Sequence, residues 1–246
     1  MESFPEHLKF WRKSRRLSQL ALSLEADVSS RHVSFLETGR ARPSAEMILR
    51  LSQVLRVPLE GCNAMMLSAG FAPAYHGRDW SAPELASVRK SLEYMMTSHA
   101  PYPAYVVDRV WRIVDLNDPA KRLFGALGVG KGISLLDMID APQMRAAIEN
   151  WDEFAFHAAQ RLRTESAALG GVDDLERAAA KLSLEPPSTI ASNTPVIPTV
   201  FKLGEVRLSL FSTVAQIGTP NDLALADLKI ELFFPADEQS DAILSA

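Results

Sequence analysis

Apolar residues recur every three or four positions through most of the first 70 residues, in runs too short for one long helix. In HLKFWRKSRR, Leu8, Phe10 and Trp11 mark an inner face and the basic residues an outer one. Ser18 is placed to cap QLALSLEA, since its hydroxyl can accept an orphan N–H of the first turn. Asp27 tolerates the tight turn that follows. Ser29 is a second cap, opening SRHVSFLET, and Gly39 closes that helix where a left-handed residue is wanted. Pro43-Ser44 starts AEMILRLSQVLRV, with Met47, Ile48, Leu51, Val54 and Leu55 at helical spacing. Pro58 opens a fifth helix, LEGCNAMMLSAG.

The pattern changes at residue 71. FAPAYHGRDWSAP reads as a linker, which divides the chain into a helical domain over 1–70, a linker over 71–82, a second domain over 83–240 and a tail over 241–246. PELASVRKSLEYMMTSH predicts one helix with Leu85, Val88, Leu92 and Met95/Met96 inward. PYPAYVVDRVWRIVDLN holds two β-rich runs, around 103–107 and 110–115, that turn at Asp108-Arg109. A short helix follows in NDPAKRLFGAL, capped by Asn117. Residues 142–182 read as helical, with Ile148, Trp151, Phe154, Phe156 and Leu162 as an apolar stripe. From 196 to 234 the period returns to two: VIPTVFKL, a turn at Gly204, EVRLSLFSTVAQI and LADLKIELFFP. In VRLSLFSTV, Val206, Leu208, Leu210 and Ser212 share one face; Arg207, Ser209, Phe211 and Thr213 share the other. Each face mixes apolar and hydroxyl groups, which suits a sheet lining a partly polar pocket or an ordinary sheet packed on helices.

Charge adds an asymmetry. Residues 1–60 hold 10 Lys/Arg against 7 Asp/Glu, a balance of +3; the rest holds 16 against 23, a balance of −7. Lys9, Arg12, Lys13, Arg15 and Arg16 cluster in the basic head, as a polyanion-binding surface or a solvated helix face would have it. Other classes are disfavoured. MESFPEHLKFWRK has no apolar core of a signal peptide, and no apolar run reaches membrane-span length, so no membrane partner is expected. The single cysteine, Cys62, can form neither an internal disulfide nor a thiolate zinc site, and a cytoplasmic location fits it. The histidines His7, His32, His76, His99 and His157 lack metal-ligand spacing, so no metal site is expected. No nucleophile elbow is present, and neither catalytic residues nor enzymatic activity are expected. GALGVGK over 125–131 imitates a phosphate-binding loop, but Gly132 stands where a magnesium-holding Ser or Thr belongs and a helix, not a strand, precedes it.

The run LSQLALSLEADVSSRHVSFLETGRARPSAEMILRLSQVL resembles the XRE-type helix-turn-helix of the lambda and 434 repressor class. The matching features are Gln19, the Val28-Ser29 turn, Phe35-Leu36-Glu37-x-Gly39 and Pro43-Ser44; Asp27 departs from the glycine many relatives carry there. The resemblance implies a five-helix domain that binds a double-stranded DNA operator. In that geometry Val33 and Leu36 face the core, and Ser29, Ser30, Arg31 and Ser34 face the major groove. Arg31 suits a bidentate contact to guanine. Phe35 suits a thymine methyl or its own core. Gln19, Arg40 and Arg42 are expected on phosphates, and His32 lies near the same surface. The resemblance also implies a structural ion pair between Glu37 and Arg12.

Strand, turn, strand, Asn-x-Pro-Ala, small helix and glycine, in that order, resemble the opening of a PAS domain, an α+β sensor that holds a ligand between an antiparallel sheet and short helices. Together, PYPAYVVDRVWRIVDLN, FSTVAQIGTPNDLALADLKIELFFPAD and MLSAGFAPAY resemble MmyB-like transcription regulators, with the weakest match over 165–195. That family implies a small apolar ligand such as a fatty acid; no other cofactor is expected, and the chain is expected to read its operator as a homodimer. Tyr102, Tyr105, Trp111, Trp151 and Phe211 are candidates for its lining, and His99, Asn117, Arg163 and Thr213 for its polar anchors. Two rival readings of the body are a sensor that turns over its ligand and a protein-interaction or dimerisation module with no small-molecule effector.

Overall fold

A computed structural model describes residues 3–182 and 195–246; part of the weakly matching stretch, 183–194, thus lies outside the described residues. In chain order come α1 (Phe4–Ser14), α2 (Gln19–Glu25), α3 (Ser30–Glu37), α4 (Ala45–Val54), α5 (Leu59–Ser68), α6 (Ala86–Ser98), β1 (Ala104–Val107), β2 (Ile113–Leu116), α7 (Asp118–Gly125), α8 (Leu135–Met138), α9 (Pro142–Ala147), α10 (Trp151–Leu169), α11 (Asp173–Lys181), β3 (Thr199–Leu203), β4 (Val206–Gln216), α12 (Leu223–Ala226), β5 (Lys229–Pro235) and α13 (Glu238–Ser245). They form two compact units. One holds residues 1–78 with 168–171 and 219–226; the other holds the remainder.

In the first unit the predicted caps are made: Ser18, Ser29 and Ser44 accept the N–H groups of Ala21, His32 and Met47. Leu8, Trp11, Leu22, Val33, Leu36, Ile48, Leu51, Leu55 and Met65 form one core, each large side chain contributing about 1.5–3 kcal/mol by leaving water. Phe10 is a correction to the expected inner face. It is 43% exposed, because two positions past Leu8 on a helix is the opposite side. Four tight turns link α1 to α5. Each uses a left-handed residue: Arg16 (φ 56°), Asp27 (51°), Gly39 (71°) and Arg56 (48°). The stretch after α5 is no free linker at its start. Asn63 donates to the carbonyl of Tyr75 at 2.8 Å and accepts the N–H groups of Ala74 and Tyr75 at 2.9 and 3.0 Å.

The second unit is built on an antiparallel sheet of order β2-β1-β5-β4-β3, with the last strand inserted at its centre. The first hairpin turns more widely than predicted. Asp108 Oδ1 accepts the N–H groups of Val110 and Arg112, and Trp111 sits at φ 55°, so β2 begins at Ile113. The glycine-rich stretch that imitates a phosphate loop pairs with the edge of β2, through Gly132 N–H to Ile113 and Ile113 N–H to Ile133. The helical stretch 142–182 is divided into three helices. Ile148 breaks away to bridge Phe201, Asn150 bonds Val200 and Pro198, and Gly170 and Gly171 take φ 88° and 94°. Residues 241–246 belong mostly to α13 rather than to a loose tail. Asp237 caps that helix, Ser240 Oγ accepts the Ser209 N–H at 2.8 Å, and Tyr102 donates to Asp241 at 2.7 Å. The result is α+β: an antiparallel sheet faced by the short helices that follow β2.

Candidate functional site

Helix α3 buries Val33 and Leu36 completely. That fixes its rotation and turns Ser30 and Arg31 outward, with Ser34 and Phe35 half-buried beside them. Phe35 is a platform for cations. The guanidinium carbon of Arg31 lies 5.1 Å from its ring centre, and that of Arg40 lies 6.0 Å away. Arg31, Arg40 and Arg42 are exposed, so the surface offers one guanidinium on the recognition helix and two just past its end. This suits base reading by the first and phosphate contact by the others. Ser29 spends its hydroxyl on the α3 cap, and His32 is half-buried.

Glu37 is turned away from that surface. Its carboxylate accepts from Arg12 Nε at 2.5 Å, Arg12 Nη2 at 2.9 Å and Gln19 Nε2 at 2.7 Å, and its side chain is 3% exposed. Burial would raise this carboxyl, but the bonds from Arg12 and Gln19 outweigh it and hold the group below the usual range. Gln19, expected on a phosphate, therefore has its amide nitrogen engaged with Glu37. Arg12 also donates to the Leu17 carbonyl at 2.8 Å, joining α1, the first turn and α3.

The second unit contains a cavity of about 280 Å³ between the sheet and α7–α10, near the lower end of ordinary ligand pockets. Its walls are Phe124, Ile139, Met144, Ile148, Phe154, Leu162, Phe201 and Phe233. One end is polar. Glu231 pairs with Arg161 Nη1 and accepts from the Tyr105 hydroxyl and, at 3.1 Å, from Ser212. Behind it, Glu165 accepts from Arg161 Nε at 3.1 Å, Trp111 Nε1 at 2.9 Å and Lys229. The Trp111 ring has Arg161 at 4.5 Å and Lys229 at 5.1 Å. Lys229, Glu231 and Phe233 alternate along β5 and so share its inner face. Burial would lower the Arg161 guanidinium, yet the Glu231 carboxylate raises it overall. Burial would raise Glu165, and Lys229 holds it down instead. Burial and then the Glu231 charge push the Tyr105 hydroxyl well above its ordinary value, so it stays a donor.

Of the nine residues expected around a ligand, Tyr105 and Trp111 meet at this cavity. The structure puts the other seven outside its lining. Asn117 spends all its polar capacity on backbone: Oδ1 takes the Ala104 and Ala120 N–H groups, and Nδ2 gives to Met96 and Tyr102. His99 Nε2 donates to the Phe233 carbonyl at 2.7 Å. Tyr102 is held by Asp241, and Trp151 carries Arg145 on its ring at 5.4 Å. Phe211 stacks on Phe234 with centroids 5.6 Å apart, while Thr213 is exposed. Because Ser212 faces the cavity, both flank it on the sheet's other side. Arg163 lies two residues past Arg161, on another face of α10. The residues that sequence reasoning missed are Arg161, Glu231 and the Phe124, Phe201 and Phe233 walls. For Arg161 there was a signal: it falls on the Phe154–Ala158–Leu162 stripe.

Comparison with known proteins assigns a family to each part of the chain. Residues 8–62 match a helix-turn-helix family, and residues 88–246 match the MmyB-like transcription regulator ligand binding domain. The HTH-type transcriptional repressor RghR of Bacillus subtilis (strain 168) is 35% identical over 77 residues, which are 31% of this chain. The chain spans 55% of that protein's length. The solved PAS domain of Bordetella pertussis BvgS aligns over 63% of this chain and 93% of its own at 13% identity, with a TM-score of 0.30. Among the described residues, no helix is long and apolar enough to cross a membrane. The chain belongs to the MmyB-like transcription regulators, with a helix-turn-helix head joined to a ligand-binding-type C-terminal domain.

Proposed function

We propose that this regulator holds a small apolar ligand of the fatty-acid type in the cavity of its second unit, and that occupancy modulates its affinity for an operator. It would act in the cytoplasm as a homodimer on a near-palindromic site, with half-sites about 34–36 Å apart. The observation that carries the ligand reading is the cavity itself, apolar on most sides and polar at one end. A body serving only as an interaction module has no need of it. A route to the rest of the unit also exists: Phe233 lines the cavity, and its carbonyl is bonded to His99, the residue that ends α6. A ligand that moves β5 at Phe233 thus acts on α6. Modulation further requires that the ligand bind the two states of the protein with different affinity.

Native mass spectrometry of the purified chain, before and after denaturing extraction, tests the reading. A dimer that releases an acyl-chain-sized molecule supports it. A folded chain that neither carries nor takes up such a molecule contradicts it.

A further inference from the structure

A fatty acid brings its charge into a cavity whose walls are mostly apolar, and that charge needs a cation beside it. Among the described residues of the lining, Arg161 is the one permanent cation. It is already matched. Arg161 pairs with Glu231 and Glu165, and Lys229 pairs with Glu165. Two cations face two anions, so the cluster is neutral before any ligand arrives. A carboxylate added at Arg161 makes three anions over two cations. Two of them, the ligand's and that of Glu231, then share one guanidinium. Carboxylates held that close do not both stay ionised; the pair binds one proton between them.

Resting on the ligand reading above, we propose that a fatty acid enters this cavity together with one proton, which its carboxyl group and Glu231 share beside Arg161. The proton comes from solvent: the ionised acid, one H⁺ and the Glu231 carboxylate become two carboxyl groups joined by an O–H···O bond. Glu231 lines the cavity and Glu165 does not. Glu165 also keeps Trp111 and Lys229 as donors whatever Arg161 does. Glu231 is 3% exposed, so water cannot compensate a second charge there. Its other two partners are hydroxyls, Tyr105 on β1 and Ser212 on β4, and these donate to a protonated pair as they do to a carboxylate. The remaining charged groups around Glu231 do not supply the proton's site. Burial and the Glu231 charge push the Tyr105 hydroxyl upward, so it keeps its own proton. Arg161 is raised as well, and Lys229, two residues before Glu231 on β5, is engaged with Glu165. His157, one turn before Arg161 on α10 and also in the wall, is the rival site.

The test is the affinity of the full chain, stripped of co-purified lipid, for decanoate between about pH 6 and pH 8, where the free acid is ionised. Binding calorimetry in two buffers of different ionisation enthalpy counts the protons taken up. Wild type is expected to take up about one proton, so that its dissociation constant rises about tenfold per pH unit. The variant E231Q, with one anion fewer, is expected to bind decanoate without that slope, and more tightly than wild type at about pH 8. H157Q is expected to keep the wild-type slope. 1-Decanol, which has no carboxyl group, is expected to bind wild type equally well across the range. Decanoate binding without proton uptake overturns the proposal. A slope that 1-decanol shares, that E231Q retains, or that H157Q abolishes overturns it too, since the proton then sits elsewhere. If E231Q does not fold, the wild-type proton count and H157Q decide the matter. A folded chain that binds neither decanoate nor 1-decanol contradicts the ligand reading itself, and this inference with it.

Discussion

Arg12 grips Glu37 with two hydrogen bonds, Nε to Oε1 at 2.5 Å and Nη2 to Oε2 at 2.9 Å, and so ties the first helix to the recognition helix. Both side chains are largely withdrawn from water. Removing the cation leaves a buried carboxylate with only Gln19 for company. Arg12→Ala should therefore lower stability by about 3 kcal/mol and weaken operator binding, because α3 loses its anchor. Thermal melts with and without operator check this. Unchanged melting would show that the pair does not hold the recognition helix.

The same carboxylate gives the head an acid-sensitive element. A carboxyl held low in the folded state contributes stability above its unfolded value, about 4.3 for Glu. That contribution disappears as pH falls through the lower folded value. Melts of wild type and Glu37→Gln should therefore differ most near neutrality and converge as pH falls through the carboxyl's lowered folded value. A constant difference across the range would mean that the shape of the residue matters and its charge does not.

Phe35 supports Arg31 from beneath, at 5.1 Å. Arg31→Ala should cost about 1–3 kcal/mol and relax specificity at one operator position. Phe35→Leu should retain binding to unrelated DNA and lose part of the same discrimination, since the guanidinium loses its platform. Arg42→Ala should weaken all sequences alike and reduce the salt slope by about 1. A uniform loss in all three variants would contradict this sorting of reader and gripper.

Asp27 occupies a left-handed turn at φ 51°, where a side chain crowds the following carbonyl. Asp27→Val should cost about 1–2 kcal/mol in chemical denaturation, while Asp27→Gly should be close to neutral or mildly stabilising. If valine is tolerated as well as glycine, the turn carries no such strain.

The head was legible because its elements announce themselves locally. Ser18, Ser29, Ser44 and Gly39 sit at helix ends, and each does there what its chemistry suggests. Arg16 and Arg56 take the left-handed conformation with no local cue; the packing of α1–α5 imposes it. The sheet and its flanking helices were legible from period alone. The cavity was not, because its lining comes from segments far apart in the chain. Glu231 and Lys229 are charged positions of β5, and period alone gives no reason to bury them. They are buried because Arg161 and Glu165, on a helix 64 to 70 residues away, meet them. Polar anchors chosen by residue type alone, such as Asn117 and Thr213, had other partners or the wrong face.

The most direct test of the account is the affinity of the full chain for an in vitro selected operator, with and without a saturating amount of the molecule its cavity releases. Wild type should change affinity by a factor of about 5 to 150. Ala158→Phe, which fills the cavity from α10, should bind operator and ignore the molecule. Wild-type affinity that stays the same at saturating ligand would contradict the regulatory role of the cavity.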